Sequence, residues 1–292
     1  MERRDRQVNQ SIRAYDPTWS PGGVLATATM IDSMVGQVAL VTGAGSELGI
    51  GFAAARRLGR AGAAVALVST SDRIHARAAE LVAEGITAIG LIADLTDEAQ
   101  VTAAVAAAVD QLGPVDILVN NAGMVSVAAG SDAHGPFDQL TLAQWNDAMS
   151  RNLSTAFLVT KAVLPSMRAR RYGRIVNVSS VSGPLVVFDN GSPYAAAKAG
   201  MVGMTRALAL EVGHLGITVN AVAPGWINTA AAVDKEQRAG FATPVARPGT
   251  PDEVAACVGF LASPSASYVT GTMLVVDGGN SLVEDLNRRP PH

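Results

Sequence analysis

A chain of 292 residues, 49% hydrophobic, 16% charged and carrying a formal charge of −3, is long enough to bury a sizeable core. The slightly acidic balance gives no electrostatic ground for a nucleic-acid or anionic-membrane partner, and no apolar run reaches the roughly 20 residues of a membrane span. A single cysteine excludes a disulfide framework and fits a reducing, cytoplasmic setting.

The first stretch, residues 1–34, opens with Glu2, Arg3, Arg4, Asp5 and Arg6 and runs through Pro17, Pro21, Gly22 and Gly23. It has no apolar h-region, and acids stand among its arginines, so neither a secretory signal nor a transit peptide is expected. The reading is an arm, flexible or packed on a neighbouring subunit, ahead of one dinucleotide-binding catalytic domain over 35–292. From Gly36 a strand–helix rhythm begins. Val38–Val41 is a short apolar run, followed by a helical stretch from Ile50 to Ala61. Val65–Val68 precedes a helix from Arg73 to Glu84, and Ala88–Ala93 precedes one from Glu98 to Gln111. Val115–Val119 leads to a long helix expected over Leu142 to Met167. Arg174–Val178 is a strand, Tyr194–Val212 a helix, Thr218–Val222 a strand and Pro251–Leu261 a helix; Met273–Val276 closes the series. Cys257 lies in the apolar stretch Val254–Leu261 and reads as a packed thiol.

Short apolar strands separated by helices predict an α/β fold: a doubly wound parallel sheet, Rossmann-like, in one domain with helices on both faces. Such sheets bind ligands beyond the carboxyl ends of their strands. Polar and glycine residues gather at those ends: Thr42-Gly43, Ser69, Asp94, Asn121, Ser179-Ser180 and Pro224-Gly225. After the first strand, Gly43, Gly45, Ser46, Gly49, Ile50 and Gly51 form a turn that opens a helix. Glycines let a backbone approach a pyrophosphate, and a helix N-terminus offers unpaired N–H groups and a positive dipole end. Glu47 stands inside this loop and is expected to face solvent, since a carboxylate facing a pyrophosphate is repelled.

The sharpest signal is Tyr194 followed four residues later by Lys198, with Ser179-Ser180 closing the strand before them. Residues four apart share a helix face. A phenol with a pKa near ~10 is a poor base at neutral pH, and a neighbouring ammonium favours its ionised form. Tyr194 then takes the alcohol proton in oxidation and returns it in reduction, while a serine hydroxyl bonds the substrate oxygen.

Thr42-Gly43 with Gly49-Ile50-Gly51, Asp94, Asn120-Asn121-Ala122-Gly123, Asn152, Ser180, Tyr194 with Lys198, and Pro224-Gly225 stand in order over about Met34 to Asn280. The set resembles the short-chain dehydrogenase/reductase family, in the single-domain branch that includes 3-oxoacyl-carrier-protein reductases. The glycine loop departs from the family's T-G-x-x-x-G-x-G by two extra residues. The resemblance implies a tetrad of Asn152, Ser180, Tyr194 and Lys198, with Ser179 as fallback for Ser180. It implies that Lys198 also holds the nicotinamide ribose and that Asn152 holds a water linking Lys198 to solvent. It further implies adenine contacts at Asp94 and Leu95, a groove lined by Asn121, Ala122 and Gly123, and contacts from Ile227 and Thr229 at the carboxamide or phosphate end.

At the end of the second strand a carboxylate binds ribose hydroxyls and repels a 2′-phosphate. Here Ser69, Thr70 and Ser71 stand there, with Arg73 nearby, so NADP(H) is favoured; Asp72 leaves NAD(H) open. The substrate, a small carbonyl or alcohol, is expected over the nicotinamide, walled by Pro184–Phe188 and Trp226. Asp189 is expected to face solvent, the other reading being a pairing with an amine on the substrate. Ala230–Thr243 reads as a lid with Lys235 and Arg238 near its tip. No metal is expected. The function read is hydride transfer between the cofactor and a ketone or secondary alcohol. The alternatives are a nucleotide-sugar epimerase or dehydratase, which usually carries a larger C-terminal domain, and a non-catalytic dinucleotide sensor, which needs no placed acid and base. The Tyr194–Val212 helix, apolar nearly all round, and the closing strand predict a homotetramer.

Overall fold

The computed structural model describes residues 33–123, 134–230 and 234–283. The chain divides into two units, Met1–Ile31 and Asp32–His292, and every described residue belongs to the second. The arm expected at 1–34 therefore lies outside the described residues up to residue 32. Met34, expected as its last residue, is buried, and its N–H donates to Ala61 O at 2.7 Å, so it belongs to the catalytic unit.

Among the described residues seven strands form one parallel sheet: β1 (Val38–Thr42), β2 (Ala64–Ser69), β3 (Ala88–Ile92), β4 (Ile117–Asn120), β5 (Gly173–Val178), β6 (Ile217–Pro224) and β7 (Met273–Val276). Their order is β3-β2-β1-β4-β5-β6-β7, and every neighbouring pair is parallel. The helices are α1 (Ile50–Arg60), α2 (Arg73–Ala83), α3 (Glu98–Leu112), α4 (Leu142–Met149), α5 (Thr155–Arg170), α6 (Ser192–Val212), α7 (Asp234–Phe241) and α8 (Pro251–Ala262).

Strand residues alternate between two apolar clusters because successive side chains leave a strand on opposite faces. Ala39, Val41, Val65, Leu67, Val176 and Val178 join Phe52 and Leu58 of α1, Ile74 and Leu81 of α2, and Val254 and Val258 of α8. Leu40, Ala66, Val68 and Ile175 turn the other way, to Val101 and Ala108 of α3, Val159 and Met167 of α5, and Ala209 and Val212 of α6. Both faces are covered, which is why the central strands read as continuous apolar runs. The flanking strands β3 and β7 are only partly buried, as edges are.

The single long helix expected over Leu142–Met167 is corrected. Helix α4 stops at Met149, one π-helical turn spans Ser150–Ser154, and α5 begins at Thr155. In this stretch Asn152 Nδ2 donates to Ala148 O at 3.1 Å and Thr155 Oγ1 to Arg151 O at 3.0 Å. Both side chains compete for backbone acceptors four residues back, which favours a widened turn over a regular one. The turn sets Asn152 inside the protein, next to the site.

Candidate active site

After β1 the chain winds outward through β2 and β3, then returns through α3 to place β4 on the other side of β1. A crevice opens at that reversal, at the carboxyl ends of β1 and β4. Its two lips are joined by side chains. Thr42 Oγ1 donates to Val119 O at 3.3 Å and accepts from the N–H groups of Asn121 and Ala122 at 3.0 and 2.9 Å. Asn121 Nδ2 donates to Thr42 O at 3.0 Å and Gly43 O at 3.1 Å. Gly43 has φ +67°, and a Cβ there would lie 2.8 Å from Ala122 Cα. A Cβ at Gly51 would lie 2.5 Å from Asn121 Nδ2, so only glycine lets α1 begin this close to the crevice.

Helix α1 starts after Gly49 with no side-chain cap and no acid in its first turn. Its terminal N–H groups and dipole are thus left to an anion. Gly49 N–H donates to Ser46 O at 3.1 Å, closing the loop. Glu47 is turned away as expected: its side chain is 68% exposed and pairs with Arg77 at 3.4 Å. At the end of β2, Ser69 Oγ donates to Ser71 O at 3.0 Å and accepts from Ser71 N–H at 3.3 Å, while Arg73 Nε donates to Ser71 Oγ at 3.2 Å. Thr70 and Asp72 are exposed beside them.

Helix α6 carries Tyr194 and Lys198 one turn apart, with Nζ 5.7 Å from the centroid of the Tyr194 ring. Lys198 is buried, and Nζ donates to Val178 O at 3.0 Å, at the end of β5. Burial, which disfavours the charged form, pushes its pKa down from 10.5 to about 8. The two candidate serines differ. Ser179 is buried and its Oγ donates to Lys198 O at 2.9 Å, so it braces the helix. Ser180 is half-buried, and its Oγ accepts from Ser182 N–H at 3.0 Å. Asn152 is buried with Oδ1 lacking a hydrogen-bond partner among the described residues, and a Cβ at Gly123 would lie 3.0 Å from that oxygen. The π-turn, the Asn121–Gly123 segment and the crevice therefore meet.

A family model described as enoyl-(acyl carrier protein) reductase matches residues 43–281. The 3-oxoacyl-[acyl-carrier-protein] reductase FabG of Vibrio cholerae is 40% identical over 259 residues, 86% of this chain and 100% of that protein. Among solved structures, levodione reductase is 37% identical with a TM-score of 0.78, covering 85% of this chain and 99% of that one. A short-chain dehydrogenase/reductase variant from Serratia marcescens is 33% identical with a TM-score of 0.75, covering 85% and 98%.

The chain belongs to the short-chain dehydrogenase/reductase family. As a short-chain dehydrogenase/reductase it is a nicotinamide-dependent oxidoreductase resembling the 3-oxoacyl reductases; the epimerase and sensor readings are not favoured. The residues present fit such a cofactor. An uncapped helix start, a glycine cradle and a hydroxyl-rich turn line one end of the crevice, and a buried ammonium stands at the other.

The remaining expected contacts fall into place unequally. Asp94 stands at the end of β3, but its Oδ1 is engaged by Thr96, from N–H at 2.9 Å and Oγ1 at 2.7 Å. Leu95 sends its side chain into the core, which leaves its backbone to any adenine. Pro224 ends β6, and Gly225 packs against Asp277. Ile227 pairs with Gly249 and packs on the core, and Thr229 N–H donates to Ile227 O at 2.9 Å. The expected lid contains α7, although residues 231–233 and the side chain of Lys235 lie outside the described residues. Asp189 is exposed, as expected. Cys257 is half-buried on α8, and burial raises its thiol pKa, which suits a packing role.

The sequence reading missed a buried polar ladder behind the site. Asn120 and Asn177 face each other in register on β4 and β5, and Asn120 Nδ2 donates to Asn177 Oδ1 and Thr160 Oγ1, each at 2.9 Å. Asn177 Nδ2 donates to Thr205 Oγ1 at 2.9 Å. The ladder ties α5 and α6 to the sheet and so fixes the helix bearing Lys198. The available signal was an asparagine at the end of each of the apolar runs that begin at Ile117 and Ile175.

Proposed function

We propose that this protein is a cytoplasmic homotetrameric carbonyl reductase that prefers NADP(H) and works through Asn152, Ser180, Tyr194 and Lys198. The observation that carries the reading is the buried Lys198 ammonium, held on Val178 O beneath the Tyr194 ring. When bound, the nicotinamide supplies or accepts the hydride. Tyr194 gives its phenolic proton to the carbonyl oxygen in reduction and takes it back in oxidation. Lys198 stabilises the phenolate left behind, and its remaining N–H donors hold the ribose. Ser180 donates a hydrogen bond to the substrate oxygen as charge develops there. The orphaned Asn152 Oδ1 suits a water that returns protons to Lys198 from solvent.

Preference for NADP(H) is supported by the Ser69–Ser71 turn with Arg73 laid on Ser71, and by the exposed position of Asp72. Gly43, Ser46, Gly49 and Ile50 are assigned to the pyrophosphate. Assembly is supported by apolar surface on two sides. Leu210 on α6 and Phe157 on α5 are exposed, as is Val275 on the edge strand β7. The outward face of α6 is less uniformly apolar than expected, since it also carries exposed Arg206. No helix among the described residues is long and apolar enough to cross a membrane. The test is loss of nicotinamide absorbance from NADPH and from NADH over a panel of ketones. Turnover with NADPH on at least one ketone is expected; cofactor binding without turnover on any refutes the reading.

A further inference from the structure

Aromatic rings continue outward from Tyr194. The Phe188 ring lies 6.1 Å from the Tyr194 ring at 41°, and His134 lies 5.6 Å from Phe188 at 39°. These are tilted contacts of the kind aromatic pairs prefer. The rings come from two segments, the connection between β5 and α6 and the stretch that enters α4, and the backbone locks those segments together. Gly135 N–H donates to Asn190 O at 3.2 Å, and Asn190 is held at φ +64°. Gly191, which caps α6, lies directly under Phe188: a Cβ there would stand 2.2 Å from Phe188 Cε2. Any side chain at 191 therefore displaces the ring.

The arrangement is more ordered than a surface turn requires. Phe188 is 36% exposed, and Leu185 and Val187 leave further apolar surface beside it. His134 buries Nδ1 without a hydrogen-bond partner among the described residues, a cost that a leucine or phenylalanine there avoids. Proton transfer through Tyr194 and Lys198 uses neither ring. What a fixed, part-exposed ring beside the acid/base offers is a flat face for the substrate.

We infer that Phe188 is a specificity-determining residue that seats a flat aryl or cyclic ketone beside Tyr194, and that His134 is the positioning residue that holds the Phe188 ring in place. The inference rests on the carbonyl-reductase reading above. A flat substrate gains a stacked ring contact on Phe188 that an alkyl chain does not, and loses it when the ring is removed or tilted away.

The experiment compares kcat/KM for 1-tetralone and for 2-decanone, an alkyl ketone of the same carbon count, with NADPH. Wild type is measured beside Phe188→Leu, His134→Ala, His134→Phe and Gly191→Ala, each checked for NADPH binding and thermal unfolding. An aromatic contact corresponds to roughly a two- to tenfold effect. The expected result is a fall of about threefold or more in the tetralone-to-decanone ratio for Phe188→Leu, His134→Ala and Gly191→Ala. His134→Phe, which keeps a ring against Phe188, is expected to restore the wild-type ratio. A merely structural role lowers both substrates together and leaves the ratio unmoved. A ratio within threefold of wild type in Phe188→Leu overturns the inference and leaves the reductase reading standing. No turnover of either ketone by wild type overturns the inference, and the reductase reading falls with it only when the whole ketone panel gives none.

Discussion

Replacing Lys198 by methionine isolates the feature on which the proposed chemistry depends, an ammonium held away from water. Lys198 is buried and its pKa is about 8 in the folded protein against 10.5 for an ordinary lysine. At roughly 1.36 kcal/mol per pKa unit, burying the charged form costs about 3 kcal/mol. Below about pH 8 both states hold the proton and the cost is present in full. Between about 8 and 10.5 the unfolded chain keeps the proton that the folded protein has released, so stability rises with pH through that window. From about pH 7 to about pH 9.5 the linkage relation gives a gain of about 2 kcal/mol in wild type and none in Lys198→Met. The variant also leaves Val178 O without its donor, but that loss is independent of pH and cancels in the comparison. Urea unfolding of both proteins at the two pH values and one protomer concentration measures the double difference. A value below about 0.5 kcal/mol refutes the buried ammonium, and turnover retained by the variant removes Lys198 from the chemistry.

Other substitutions test the rest of the site. Tyr194→Phe should lower kcat by far more than tenfold while NADPH binding survives, since only the proton donor is lost; a loss under about 1.4 kcal/mol of barrier withdraws Tyr194 as acid/base. Ser69→Asp should shift kcat/KM toward NADH by putting a carboxylate where the proposed NADP(H) preference places the 2′-phosphate, and wild type that already favours NADH contradicts the NADP(H) assignment. Sedimentation velocity at micromolar concentration should give a tetramer; a single species near the monomer mass refutes assembly, and a stable dimer keeps only one of the two proposed contacts.

Much of the fold is legible along the chain because its signals are local. Apolar runs at Val38, Val65, Ile117, Ile175 and Val219 are buried on both sides, and a strand buried on both sides has no reason to alternate. The glycines after Thr42 announce a turn that a side chain obstructs, and the structure gives the cause at Gly43 and Gly51. The spacing of Tyr194 and Lys198 already places them on one helix face, and the family assignment follows from motifs held in order. The failures have a common character. The break at Asn152 has only a weak local signal, the poor helix formers Ser150, Asn152, Ser154 and Thr155, and what widens the turn is side-chain competition for backbone carbonyls.

The sequence alone thus determined the run of strands along the chain, the parallel sheet, the polar and glycine residues at the strand ends and the placing of Tyr194 and Lys198 on one helix face, since each depends on periodicity or on residues a few positions apart. Tertiary structure decided what depends on residues far apart in the chain. It separated the two serines by giving Ser179 to the Lys198 carbonyl. It gave Glu47, expected at the surface, a partner in Arg77. It matched Asn120 to Asn177 across two strands, and it stacked His134 on Phe188 beside Tyr194. Each of these contacts closes a loop of thirty residues or more or sets one side chain against a choice of partners, except the neighbouring rings of Phe188 and Tyr194. Such choices are settled by burial and by hydrogen bonds that must be satisfied once water is gone, and neither quantity exists until the chain has folded.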